Sequence, residues 1–231
     1  MKYKPATIGI MMVIVSFLGF FAENVWLAIT NGYINNRNMN LPFLLGYGLA
    51  MLAIYLLFGI PSQMTFFSRF SVKAPKGMKI FLYFLCVMLC VSLGEIILGT
   101  ATERFCCIEY WNYEWLPLHI TKYTSIPTSL GFAAIVTVFM DRIFPPLMNE
   151  IARFDGKVVH VTALVLITVL VIDFLYCYGH MMKTHDFYRK WKVPIRPAPV
   201  SMDVDAQDLT DEEAAISTWN LTDVESAVSM A

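Results

Sequence analysis

Five apolar stretches, each long enough to cross a bilayer, occupy most of the first 179 residues and leave little choice of fold class. Residues 7–30, 42–62, 78–103, 123–148 and 158–179 each run for roughly 20 residues or more with few charges. Backbone groups in hydrocarbon find no water to bond to, so each stretch is expected to be a helix, and the chain an all-α integral membrane protein with five transmembrane helices. The second stretch has no charge, the fifth holds only Asp173, and the fourth carries Asp141-Arg142 ahead of Pro145-Pro146. The first follows Lys2 and Lys4 as a signal peptide would, but it is too long for an h-region, contains Glu23 and Asn24 and lacks an A-x-A site, so it reads as a span.

With 57% apolar and 15% charged residues the chain is too apolar for an ordinary soluble domain. The same figures exclude a basic nucleic-acid binder and a disulfide-rich secreted scaffold. The net charge of −1 hides an asymmetry: residues 1–199 hold all 17 Lys and Arg, and residues 200–231 hold eight acids and no base. Three regions follow. Residues 1–179 are the helical bundle, 180–199 a basic aromatic collar beside the membrane, and 200–231 an acidic tail poor in aromatics and unable to bury a core, expected to be disordered or weakly helical. No internal repeat is visible.

Lys and Arg near the span ends give an orientation. Lys2, Lys4, Arg69, Lys73, Lys76, Lys79, Arg142, Arg153 and Lys157 fall on the amino-terminal side, against Arg37, Arg104 and Lys122 on the other, which places the amino terminus in the cytoplasm of a cell-membrane protein. Five spans then put the basic collar on the far side, against the same rule.

The polar residues inside the spans share one end of an up-down bundle. Glu23 lies near the end of the first span, Tyr47 near the start of the second, Glu95 and Glu103 in the second half of the third, Ser125 and Ser129 at the start of the fourth and Asp173 toward the end of the fifth. An acid in hydrocarbon costs a few kcal/mol and is normally turned inward, paired, hydrated or protonated, so four at one level suggest a shared polar chamber. Glu95, Gly99 and Glu103 step by four and share a broad helix face. Gly94 and Gly99 would let a neighbouring helix come close. The 31–40 loop contains five Asn, and its Arg37 is the obvious carboxylate partner; the 104–122 loop carries Tyr110, Trp111, Tyr113 and Trp115, as an aromatic belt or a re-entrant cap would.

No P-loop occurs, so ATP hydrolysis would need a separate ATP-binding subunit. The five Cys and four His have no zinc-ligand spacing, no G-x-S-x-G nucleophile elbow is present, and no cofactor motif was found.

Several segments are familiar together: S-F-L-G-F-F-A-E-N-V-W in the first span, N-R and L-P-F-L-L-G-Y-G entering the second, G-E-I-I-L-G-T-A-T-E-R in the third, then W-N-Y and I-P-T-S-L-G-F. In that order, over about residues 15–135, they resemble the type IV ABC-transporter permease family of small membrane proteins. The resemblance marks Glu23, Asn36, Arg37, Tyr47, Glu95, Gly99, Glu103, Trp111, Tyr113 and Ser129. Asn38 stands where the family often has Gly. Three readings are carried forward: a permease-like protein whose chamber binds a polar or cationic solute or a lipid headgroup, an intramembrane lipid-modifying enzyme using paired carboxylates, and an accessory scaffold.

Overall fold

The computed structural model describes residues 3–154 and 156–195. The acidic tail lies outside the described residues. Five helices long and apolar enough to span a membrane are present. They are built from α1 (Pro5–Thr30), α2 (Leu45–Phe58, continued by a 3-10 turn Pro61–Gln63), α3 (Lys76–Cys106), α4 (Ile126–Val138) with α5 (Phe144–Arg153), and α6 (Lys157–Thr184). The 31–44, 107–125 and 185–193 segments share one end of the bundle, called the loop end below, and the 59–75 connection lies at the other.

Local chemistry sets the helix limits. Pro5 opens α1, where a missing N–H costs nothing. Ser125 caps α4 in a reciprocal capping box with Thr128. Cys107 and His185 close α3 and α6 in the left-handed conformation. Between α4 and α5, residues Phe139–Ile143 form a π-turn in which the Phe144 N–H donates to the Phe139 carbonyl. Pro145 and Pro146 cannot donate to the carbonyls four residues back and their rings would clash there; the wider turn carries the span past both.

Helix α1 packs between α2 and α6, and α3 lies along α4. The end away from the loops is dry and methionine-rich: Met11, Met64, Met140, Met148, Tyr83 and Phe144 are fully buried there. Flexible Met side chains suit the irregular packing beside the π-turn of the fourth span.

Two spans begin deeper than hydropathy suggests. The Leu44 N–H, just ahead of α2, donates to the Ser16 carbonyl at 2.9 Å. Ser16 stands fourteen residues before the end of α1, about 21 Å along the axis at 1.5 Å per residue. Thr124, just ahead of α4, reaches Glu95, eleven residues before the end of α3, about 16 Å. Residues 42–44 and 123–125 therefore belong to extended segments that descend into the bundle, and the expected helix starts at Pro42 and Tyr123 move to Leu45 and Ile126.

Candidate functional site

The second descending segment explains the periodicity of α3. Lys122 Nζ donates to Glu103 at 2.5 Å and to Glu109 at 2.8 Å, the Tyr123 hydroxyl also donates to Glu103, Thr124 Oγ1 donates to Glu95 at 2.6 Å, and Ser92 Oγ donates to Ser129 Oγ at 2.8 Å. Step by step down α3, positions 103, 95 and 92 meet partners progressively later in the chain. Gly99 fits the same ladder: a side chain there would overlap the Tyr123 ring. Gly94, by contrast, has open space around its Cβ position, so the close helix approach expected there is not made.

The first descending segment brings Arg37 and Tyr47 to Glu23. Arg37 Nη2 donates to one carboxylate oxygen at 2.6 Å and the Tyr47 hydroxyl to the other at 2.6 Å. The pair is partly screened, with 18% and 26% of the Arg37 and Glu23 side chains exposed. Gly19 makes room for the Tyr47 ring. Arg37 adopts φ 47° and Asn38 φ 60°, successive left-handed residues that turn the guanidinium back toward α1. Asn tolerates that region best after Gly, so Asn38 suits its backbone; Arg37 is the strained member.

Asn36 supports this turn and makes none of its bonds to the acids. Buried, it donates to the Met39 and Tyr188 carbonyls at 3.0 and 2.9 Å and accepts from the Lys190 N–H at 3.1 Å. Part of the basic collar is thereby stitched onto the 31–44 loop. The aromatic loop also folds inward for the most part. Tyr110 donates to the Arg37 carbonyl at 3.0 Å, Trp111 Nε1 donates to the Tyr123 carbonyl at 2.9 Å, and only Trp115 stays largely exposed. Tyr113 lies within electrostatic reach of both acids. Burial, then the neighbouring Glu95 and Glu23 carboxylates, raise its phenol above the usual tyrosine range, with Arg37 opposing. Glu23, Arg37, Tyr47, Tyr113 and Glu95 thus form one neighbourhood.

The other two acids do different work. Glu103 takes part in a half-exposed ion-pair network, and Lys122, bonded to Glu103 and Glu109, holds its proton above the ordinary lysine value. Asp173 accepts from Asn40 Nδ2 at 2.9 Å and the Leu41 N–H at 3.1 Å, fastening the loop to α6. Position along a helix gave these acids their common height and could not give their direction. Lys122, Tyr123 and Thr124 do not stand out in the sequence as acid partners, since no spacing connects them to α3; only the descent of the 119–125 hairpin does.

Among the described residues every one of these acids has a cationic or backbone partner except Glu95, whose partner is the Thr124 hydroxyl alone. Thr124 passes on to Ser129 at 3.0 Å, so the carboxylate ends a short hydroxyl chain and has an oxygen to spare. Helices α2 and α4 both start beside this neighbourhood, a broken-span arrangement that brings the positive ends of helices to mid-depth.

A family model described as "putative ABC-transporter type IV" matches residues 10–178. The chain belongs to that family. It is accordingly a multi-pass, transport-related membrane protein. The match is longer than the 15–135 resemblance read from the motifs and takes in most of α6, whose sequence is apolar and carries few recognisable residues. Comparisons with curated proteins and with solved structures return no match.

Proposed function

We propose that this chain is the membrane-embedded, permease-like part of a transporter, and that the cleft bounded by Glu23, Arg37, Tyr47, Tyr113 and Glu95 takes a polar or cationic solute, or a lipid headgroup of that charge. One observation carries the reading: Glu95 stands within a span, about 16 Å from the helix end, with a hydroxyl partner and no base. A carboxylate so placed gains from a cation that enters beside it. Glu23 is a poorer candidate because both its oxygens are engaged, and this also weighs against a paired-carboxylate lipid enzyme, which needs a second free carboxylate as base. Driving such a transporter with ATP requires a separate ATP-binding subunit, because the chain has no P-loop.

The test uses purified full-length protein in detergent, with tetraethylammonium, choline and ethanolamine as probes. At least one should raise the thermal midpoint of the native protein in a dose-dependent way, and Glu95→Gln, which keeps the shape and the Thr124 contact, should fold normally and lose that response. A response that survives in Glu95→Gln, or full complementation of a deletion strain by the Glu23→Gln, Glu95→Gln double variant, overturns the assignment.

A further inference from the structure

At the end of the bundle away from this cleft, α2 and α3 are joined by a small hairpin whose design conflicts with its own turn. Thr65–Phe66 pairs antiparallel with Phe70–Ser71, and the Arg69 N–H donates to the Phe66 carbonyl at 3.0 Å to close a four-residue turn. The two central residues, Phe67 and Ser68, have φ 52° and 56°. That is the type I′ pattern, which Asn-Gly adopts at little cost and which a bulky aromatic residue adopts only under strain. Yet Phe67 makes no use of the strain inside the protein: it is 68% exposed, and Phe70 is 70% exposed, while Phe66 alone turns in to pack edge-on against Phe58 with ring centres 5.7 Å apart.

Two further observations say what the exposed rings meet. The Phe67 N–H donates to the Leu57 carbonyl at 2.7 Å, in the last turn of α2. The tip is thereby folded back level with the end of a span, at the depth of the bilayer boundary, instead of standing out in water. Around it, residues 59–79 contain Arg69, Lys73, Lys76 and Lys79 and no acid, and none of the four bases has an ion-pair partner among the described residues. Aromatic rings at the boundary with unpaired bases beside them match the chemistry of an anionic lipid surface.

We infer that the 65–71 hairpin is an interfacial anchor, with Phe67 and Phe70 inserted at the headgroup level and Arg69, Lys73, Lys76 and Lys79 drawn to anionic lipid headgroups. It holds the α2–α3 connection in the membrane plane. The inference stands apart from the cleft and from the proposed transport role.

The experiment places a fluorophore on Ser68→Cys in an otherwise cysteine-free full-length protein, reconstituted in nanodiscs of phosphatidylcholine alone or mixed with phosphatidylglycerol. The emission should be blue-shifted and quenched by lipids brominated near the headgroup, poorly quenched by aqueous iodide, and more deeply protected in the phosphatidylglycerol discs. Replacing Arg69 and Lys73 by Gln should remove that lipid dependence, since each base near an anionic surface is worth about fivefold in local binding. Phe67→Ser with Phe70→Ser should restore iodide quenching while leaving the protein folded. A probe quenched freely by iodide in both lipids, or protected only when a second protein is bound, overturns the anchor.

Discussion

At the scale of single residues, Arg37 decides the shape of the loop end. Its guanidinium neutralises Glu23, its carbonyl accepts from Tyr110, and its left-handed backbone makes the turn that lets both happen. The pairing with Glu23 was legible in the sequence, because a lone Arg in an Asn-rich loop next to a buried acid has little else to do. Asn36 was legible as a marked position but not in its work, since nothing in the sequence tells that the far end of the chain returns to receive its amide. The bridge should be measurable by a double-mutant cycle on detergent-purified protein. With both side chains about a fifth exposed, the full value of a buried pair is discounted, and Arg37→Ala and Glu23→Gln should show a coupling of about 1–2 kcal/mol in unfolding free energy. Arg37→Ala should be the more damaging single change, because it leaves an anion with only the Tyr47 hydroxyl, whereas Glu23→Gln removes the charge, keeps one acceptor oxygen for Arg37, and can donate its amide N–H to a Tyr47 hydroxyl turned to accept. Additive effects would remove the bridge from the account.

At the scale of elements, glycines and tyrosines work in pairs. Gly19 on α1 receives the Tyr47 ring and Gly99 on α3 receives the Tyr123 ring, and each tyrosine hydroxyl then donates to an acid on the helix that carries its glycine: Glu23 four residues on in α1, Glu103 four residues on in α3. The same small device thus holds both descending segments. Its parts were visible, since Gly99 and Glu103 share a face at four-residue spacing. The pairing was not, because an extended segment that runs straight into a long apolar stretch reads as more helix, so 42–44 and 123–125 count with the spans that follow them. A third glycine, Gly48, has no such slack: a Cβ there would stand 2.5 Å from the Met12 carbonyl oxygen, a backbone atom that cannot turn aside. Gly48→Ala should therefore force α1 and α2 apart and cost about 2 kcal/mol or more as an overpacked contact. Gly99→Ala should be milder in thermal midpoint, because the Tyr123 ring can swing, and should instead release that tyrosine from Glu103; at Gly19 an added methyl also meets the Tyr47 Cβ at 2.8 Å, which no ring swing moves, so Gly19→Ala should fall between the two. Titrating tyrosine absorbance at alkaline pH checks the release: a Tyr123 freed from burial and from Glu103 ionises nearer the ordinary value of 10. Unchanged titration in Gly99→Ala would show that the ring does not depend on this seat.

At the scale of the whole molecule, five spans put the amino terminus and the basic collar at opposite ends, so one of the two must break the positive-inside pattern. The structure supplies a physical reason for choosing the collar. Lys190 stands over the Tyr188 ring at 5.4 Å, Lys192 over Tyr33 at 4.2 Å and Arg189 over Phe187 at 4.8 Å, while Arg37 and Lys122 are bound to carboxylates. The bases at the loop end are largely engaged in folding that end. At the opposite end Arg69, Lys73 and Lys76 are exposed without ion pairs among the described residues, and they lie early in the chain, where topology is usually decided. The loop end, with its cleft, should therefore face outward. Single cysteines at Glu114 and at Lys73, in a cysteine-free background in intact cells, distinguish the two arrangements. Glu114→Cys, on the exposed part of the aromatic loop, should react with a membrane-impermeant maleimide, and Lys73→Cys should react only after the cells are opened. The reverse pattern would turn the protein over, give the collar the cytoplasmic side that its charge favours, and make the cleft open toward the cytoplasm; the lipid contact of the 65–71 hairpin would then fall on the outer leaflet.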